Sequence, residues 1–323
     1  MNKTILISSL LVWAVCAPKK PTTENAMTSD TLVIHAEMEL PVHARLGEGS
    51  IWNWETQRLW WIDIEGKKLN IYDPVTKENK VIEVGQPIGT VVPAKKGGAV
   101  IALQDGIYLF DLNTNKKTMI CSPEKEIDNM RFNDGKCDPA GRFWVGSLNL
   151  SFKTGAASLY RVAEGGECKK MIDNVTVSNG IVWTSDHKTM YYNDSPTRCV
   201  KAYNFLEQTG EITNERVAVS IPESMGVPDG MTIDSEDKLW VAQWGGHRVG
   251  RWDPLTGKLI AEVLVPALNV SSCAFGGPDL DILYITSAKE GLSAEQLKAY
   301  PESGSIFKVI PGVKGIKADF WGK

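Results

Sequence analysis

The sequence is short of histidine. Its four, His35, His43, His187 and His247, are scattered through 323 residues without the paired spacing of a histidine metal site. It has no Gly-x-Ser-x-Gly elbow, no phosphate-cradling Walker loop and no dinucleotide fingerprint, which excludes the common signatures of serine hydrolases, nucleotidases and dehydrogenases. Positive charge is not in excess. Lys plus Arg number 35 against 39 Asp plus Glu, so the net charge is −4 and no basic field recruits nucleic acid. Cysteine is sparse, and its spacings match no zinc pattern. Cys121, Cys137, Cys168, Cys199 and Cys273 read as small buried apolar residues, with one disulfide open to them in an oxidising compartment. The run Ile5 to Val15 is too short to span a bilayer.

That run has another reading. Lys3 precedes it and Cys16-Ala17-Pro18-Lys19-Lys20 follows, giving a charged start, an apolar stretch and a small-residue exit. Residues 1–17 are therefore expected to be a signal peptide or lipoprotein signal, with Cys16 where a lipid would be attached. Residues 18–30, rich in Lys, Thr, Pro and Asn, read as a flexible tether. The protein is expected to be exported: periplasmic, secreted, or lipid-anchored through Cys16. Residues 31–323 form the folded domain.

After residue 31 no helical periodicity is sustained. Short β-type runs alternate with turn residues, and the eleven tryptophans suit a β-rich chain. The runs fall into six units, each starting near a Gly or Ser and recurring roughly every 40 to 50 residues, the period of a four-stranded propeller blade. "LNIYDPVTKEN", "IYLFDLNTNKK", "LYRVAEGGECKK" and "VGRWDPLTGKL" are corresponding pieces: an apolar strand, a turn and the next strand. The expected fold is all-β, a six-bladed β-propeller. A β-sandwich would not repeat one unit six times. "TLVIHAEMEL", ahead of the first unit, is expected to pair with the last blade and close the ring.

In a propeller the first strand of every blade lines the central channel, so residues at the start of those strands share one mouth. Glu48-Gly49, Asn133-Asp134-Gly135, Asn179-Gly180 and Asp229-Gly230 occupy that place in units one, three, four and five. The glycine is expected to let the backbone turn into the strand, and the polar residue before it to project into the channel. Taken singly, such pairs are ordinary turn signals; together they bring Glu48, Asn179 and Asp229 to one point. Two carboxylates and an amide oxygen suit a hard divalent cation, Ca²⁺ first, with Mg²⁺, Mn²⁺ or Zn²⁺ also admissible. Arg131 and Asn133 in "NMRFNDGKCDPAGRFWVGS" could hold a carbonyl and hydroxyls. Trp244 is a candidate pocket wall and His247 a candidate substrate contact, whereas His187 falls in an exposed turn.

"LGEGSIW", "RFNDGKCDPAGRFWVGS", "SNGIVWTSDHKTMYYNDS", "PDGMTIDSEDKLWVAQWGGHRVGRWDP" and "LDILYITSA" resemble, in order, the blocks of the SMP-30/gluconolactonase/regucalcin-like family. The resemblance covers about residues 40–310. It implies a six-bladed propeller with one divalent metal in the channel, held by Glu48, Asn179 and Asp229. It gives Asp229 a second role as proton acceptor, makes Arg131 and Asn133 substrate contacts, and implies hydrolysis of a sugar lactone to its aldonic acid in carbohydrate catabolism. In one respect the sequence departs from the family. Many relatives carry an acid in the loop after the "GS" of unit three, but no Asp or Glu occurs from Pro139 to Ala163, so gluconolactone itself is not fixed as the substrate.

Three functions fit these features. The first is an exported lactonase acting on a small-molecule sugar lactone. The second is another lactone or ester hydrolase on the same metal. The third is a calcium- or sugar-binding propeller without turnover, since a propeller alone does not decide function. No nucleic-acid or protein partner is expected.

Overall fold

The computed structural model describes residues 31–322. The signal and tether expected over residues 1–30 lie outside the described residues.

Six antiparallel four-stranded units radiate from a central channel. From the innermost strand outward, blade one is Gly47–Asn53, Arg58–Asp63, Lys68–Tyr72 and Asn79–Glu83. Blade two is Ile88–Pro93, Ala99–Leu103, Gly106–Phe110 and Lys117–Cys121. Blade three is Met130–Cys137, Phe143–Asn149, Ala157–Val162 and Cys168–Val175. Blade four is Ser178–Trp183, Thr189–Asp194, Cys199–Leu206 and Glu211–Ser220. Blade five is Val227–Ile233, Leu239–Trp244, Arg248–Asp253 and Lys258–Leu264. Blade six takes Asn269–Gly276, Ile282–Ala288 and Ile306–Val309 from the carboxyl-terminal end of the chain.

The ring closes through the segment before blade one, but the expected single strand is two. Glu37–Leu40 pairs antiparallel with Ile306–Val309 and is the outer strand of blade six. Leu32–His35 runs parallel to Lys258–Leu264 and adds a fifth strand to blade five. The segment therefore joins two blades rather than only the last. This covers the outer edges of both sheets, which would otherwise present unpaired amides.

Burial follows from this arrangement. The innermost strands pack against one another around the ring and are almost wholly buried, while outer strands such as Glu211–Ser220 face solvent over most of their length. The cores lie between neighbouring blades, as where Ile181, Trp183, Met190 and Tyr192 of blade four meet Trp144 and Leu159 of blade three.

The turns between the first and second strands share a device. Asp138 and Asp234, each followed six residues later by tryptophan, accept backbone amides at the turn with one oxygen. With the other they accept Trp144 Nε1 and Trp240 Nε1, both at 2.9 Å. Arg142 and Arg251 complete the pairs. These aspartates are architectural, satisfying turn amides and buried indoles at once.

Candidate functional site

Every innermost strand carries a break in register near its start: Glu48/Ile51, Ile88/Thr90, Phe132/Gly135, Ser178/Ile181, Pro228/Met231 and Val270/Ser272. A β-bulge re-aims the side chain at the extra residue. This corrects the expected role of the glycines, which lie within the bulged strands rather than in turns ahead of them. Only Gly49 among the four uses a left-handed backbone, at φ 58°. Gly180 is required by proximity, because a Cβ there would fall 2.7 Å from Met231 N and 2.8 Å from Asp229 O of the next blade. The innermost strands approach too closely for a side chain at this level.

The bulges deliver Glu48, Arg131, Asn133, Asn179 and Asp229 to the wall of one cavity of about 420 Å³. Trp244 also lines it, together with Leu46, Ile64, Leu148, Val177 and Val227. His247 does not; its ring lies 6.2 Å from that of Tyr300. His187 is in a turn as expected, with a left-handed backbone, but it is half-buried rather than exposed, with Nδ1 3.2 Å from Glu207 Oε2.

Blade three is offset by one position. Asn133, not the residue directly before the glycine, faces the cavity; Asp134 is buried with one oxygen on Gly135 N at 2.7 Å and the other without a partner. Asn133 is also more committed than the sequence suggested. Its Oδ1 accepts from Arg131 Nη1 at 2.6 Å, and its Nδ2 donates to Ser178 O at 2.7 Å and Asn179 Oδ1 at 3.3 Å. Arg131 Nη1 also donates to Phe132 O, but Nε and Nη2 have no protein acceptor among the described residues. The cavity is thus offered one guanidinium edge, and Asn133 holds that edge in place.

Glu48 and Asp229 are two buried carboxyls in electrostatic conflict. Burial raises the Glu48 carboxyl to about 8, assisted by nearby Asp134. Burial pushes Asp229 well above the usual carboxylate range as well, reinforced by Glu48 and Asp134. Arg131 is the compensating charge in reach; burial lowers its own pKa while Glu65, Glu48 and Asp229 oppose that shift. Two adjacent buried carboxyls of this kind hold either protons or a cation. Among the described residues no three His, Cys, Asp or Glu side chains form a metal-ligating group. The Asn179 amide would complete an all-oxygen donor set with the two carboxyls, a set that fits a hard dication with positions left for water or substrate.

Several supporting residues were not singled out in the sequence, although they lie within one of its conspicuous blocks. Ser195 Oγ donates to Pro228 O at 2.7 Å, so it must accept from Asn179 Nδ2 at 2.8 Å. That fixes the amide with Nδ2 on the serine and Oδ1 as the acceptor, in reach of Asn133 Nδ2 at 3.3 Å. Asn193 Nδ2 holds Asp229 O at 2.8 Å, and Asp194 accepts the amides of Thr176 and Val177. Tyr192 OH donates to Ser178 Oγ at 2.9 Å. The stretch "YYNDS" at the end of "SNGIVWTSDHKTMYYNDS" therefore holds the "SNG" at its start, a pairing that the antiparallel register of the two strands allows.

Residues 46–289 match the SMP-30/Gluconolactonase/LRE-like region. Regucalcin of Danio rerio is 40% identical over 287 residues, 88% of this chain and 97% of that protein. YvrE of Bacillus subtilis, named provisionally as a sugar lactone lactonase, is 39% identical over 272 residues, 84% of this chain and 93% of its own. Among solved structures, a calcium-binding regucalcin of Agrobacterium tumefaciens superposes with a TM-score of 0.86 at 28% identity, covering 91% of this chain and all of that one.

Proposed function

The chain belongs to the SMP-30/gluconolactonase/LRE-like family, and from that premise we propose that it is a metal-dependent lactonase opening sugar lactones to aldonic acids in carbohydrate catabolism. The observation that carries the proposal is the convergence of the Glu48 and Asp229 carboxyls with Asn179 beside the open guanidinium edge of Arg131. Glu48, Asn179 and Asp229 would hold the cation, with Ca²⁺ the first candidate. A bound dication supplies polarisation of the lactone carbonyl and stabilisation of the negative charge that develops on its oxygen.

The protein residues account for the remaining steps. Arg131 orients the lactone with Nε and Nη2. Asp229 accepts the proton of the attacking water as the new C–O bond forms at the carbonyl carbon. It returns that proton to the ring oxygen as the acyl C–O bond breaks. Asn193 and Ser195 keep Asp229 and Asn179 in place through this exchange. The apolar walls keep bulk water from the carboxyls, which strengthens every charge interaction at the cavity floor. The loop of blade three, which has no Asp or Glu from Pro139 to Ala163, presents Phe152, 64% exposed, to the cavity; an apolar side chain gives sugar hydroxyls no acceptor there, which favours a lactone other than gluconolactone.

The deciding experiment is a panel of sugar lactones followed by pH-stat acid release, with chelator-stripped and cation-restored protein. Cation-dependent turnover on at least one sugar lactone supports the reading. Full activity without metal, or cation binding with no turnover on any lactone, overturns it. We also propose export directed by residues 1–17, to the periplasm, to the medium, or to a membrane, anchored through Cys16. Fractionation of the native host tests this, and a cytoplasmic protein with an intact amino terminus would end it.

A further inference from the structure

The thiols of Cys121 and Cys168 meet at the boundary between blades two and three, on the rim of the propeller. Cys121 ends the outermost strand of blade two and Cys168 begins the outermost strand of blade three. Both are free, both are half-buried, and both pack against one buried cluster. Their side chains are in direct contact across the boundary.

The surrounding chain holds this approach from both sides. The turn leading into Cys168 lies close to blade two, since a Cβ on Gly166 would be 3.8 Å from Ile120 O. The segment after Cys121 is tied to blade three by Glu124, whose Oε1 accepts from Ser147 Oγ at 2.6 Å and Tyr160 OH at 3.1 Å. The approach is thus part of the packed structure and not a meeting of loose ends.

We propose that Cys121 and Cys168 form a redox-closable staple, a disulfide joining the outer strands of blades two and three. Partial exposure leaves the pair open to thiol–disulfide exchange with a small disulfide or a disulfide oxidoreductase. The Cys121 thiolate attacks the oxidant's disulfide, giving a mixed disulfide and releasing one thiolate. Cys168, losing its proton, attacks the Cys121 sulfur of that mixed disulfide and expels the second thiolate. One S–S bond forms within the protein, two protons leave it, and the oxidant's disulfide is reduced to two thiols. Contact with Cys168 favours ionisation at Cys121, while that same contact and burial disfavour it at Cys168. This gives the two thiols the unequal roles the exchange needs. The closed loop would span the linker and most of blade three, so the staple would restrict the unfolded chain and tie adjacent blades at their edges.

The test uses the full protein, reduced and then treated with oxidised glutathione. Free thiols are alkylated, and a non-reducing tryptic digest is read by mass spectrometry. The expected product joins TMICSPEK, residues 118–125, to VAEGGECK, residues 162–169, with a mass two hydrogen atoms below the sum of the reduced peptides. Thermal midpoint should rise by about 4–8 °C on oxidation and fall again with reductant. In Cys121→Ser and Cys168→Ser that difference should vanish while lactone hydrolysis persists. Separate glutathione adducts on Cys121 and Cys168, their continued alkylation, or linkage of either to Cys199 would overturn the proposal. Peptide mapping is done on the wild type, so its result does not depend on either variant folding.

Discussion

Asn179 and Ser195 are joined by a hydrogen bond of 2.8 Å whose direction is fixed by a third group. Ser195 spends its proton on Pro228 O, so the amide must present Nδ2 to the serine, which leaves Oδ1 as the acceptor on the side of Asn133 Nδ2. Ser195→Ala removes this constraint without placing a new group in the cavity. Cation affinity is expected to fall about tenfold, the low end for losing a group that orients a ligand. Excess cation should restore most turnover. Calorimetric titration checks the affinity, and an unchanged Kd would show that Asn133 alone orients the amide.

Asp229→Asn keeps an oxygen ligand but removes a charge and a proton acceptor. Turnover is expected to fall at least about 100-fold with the fold intact. Saturating cation should restore occupancy but not rate. Full recovery of rate would confine Asp229 to holding the metal.

Arg131→Lys keeps a positive charge but removes the forked edge. KM for the lactone is expected to rise about tenfold or more, the scale of a lost hydrogen bond to a charged group. Cation affinity should not collapse, because Arg131 repels a dication and does not ligate it. A parallel loss of metal binding and turnover would make the residue structural, through its bond to Asn133 Oδ1.

The stability of metal-free protein should fall as pH rises from about 4.5 toward about 8. Burial raises Glu48 to about 8 from 4.5, so the folded state binds more protons than the unfolded state across that window. The proton-linked stabilisation is therefore lost on the alkaline side. Thermal melts of stripped protein at pH 5.5 and 8 check the sign. Added calcium should raise the midpoint most at pH 8, and Glu48→Gln should flatten the dependence. A stripped protein that gains stability from pH 5.5 to 8 would contradict the assignment.

Asp234→Ala should destabilise the fold by about 3–5 kcal/mol, the scale of breaking a buried ion pair. It strips partners from Trp240 Nε1, Arg251 Nε and the amides of Glu236 and Lys238. Urea unfolding checks it, and a loss under about 1 kcal/mol would mean that Glu236 holds Arg251 unaided.

The six-unit repeat is written in local chemistry: β-type runs separated by turn residues at a recurring period. That determined the propeller, since one repeated unit admits few ways to bury its faces. It also brought Glu48, Arg131, Asn133, Asn179 and Asp229 to one mouth, because each starts the corresponding strand of its unit. Packing between blades decided the rest. The glycines beside these residues look like turn signals, yet Gly180 is there because the backbone of blade five leaves no room for a Cβ. Asn133 looks like a substrate contact, yet its amide is largely spent on Arg131 and Ser178. The segment Leu32–Leu40 reads as one spare strand, but its two halves join different blades. Cys121 and Cys168 carry no motif, and only the seam between two blades brings their thiols together. A repeat read along the chain fixes what each blade contains, whereas the distance between blades, which sets side-chain partners across the seams, exists only once the ring has closed.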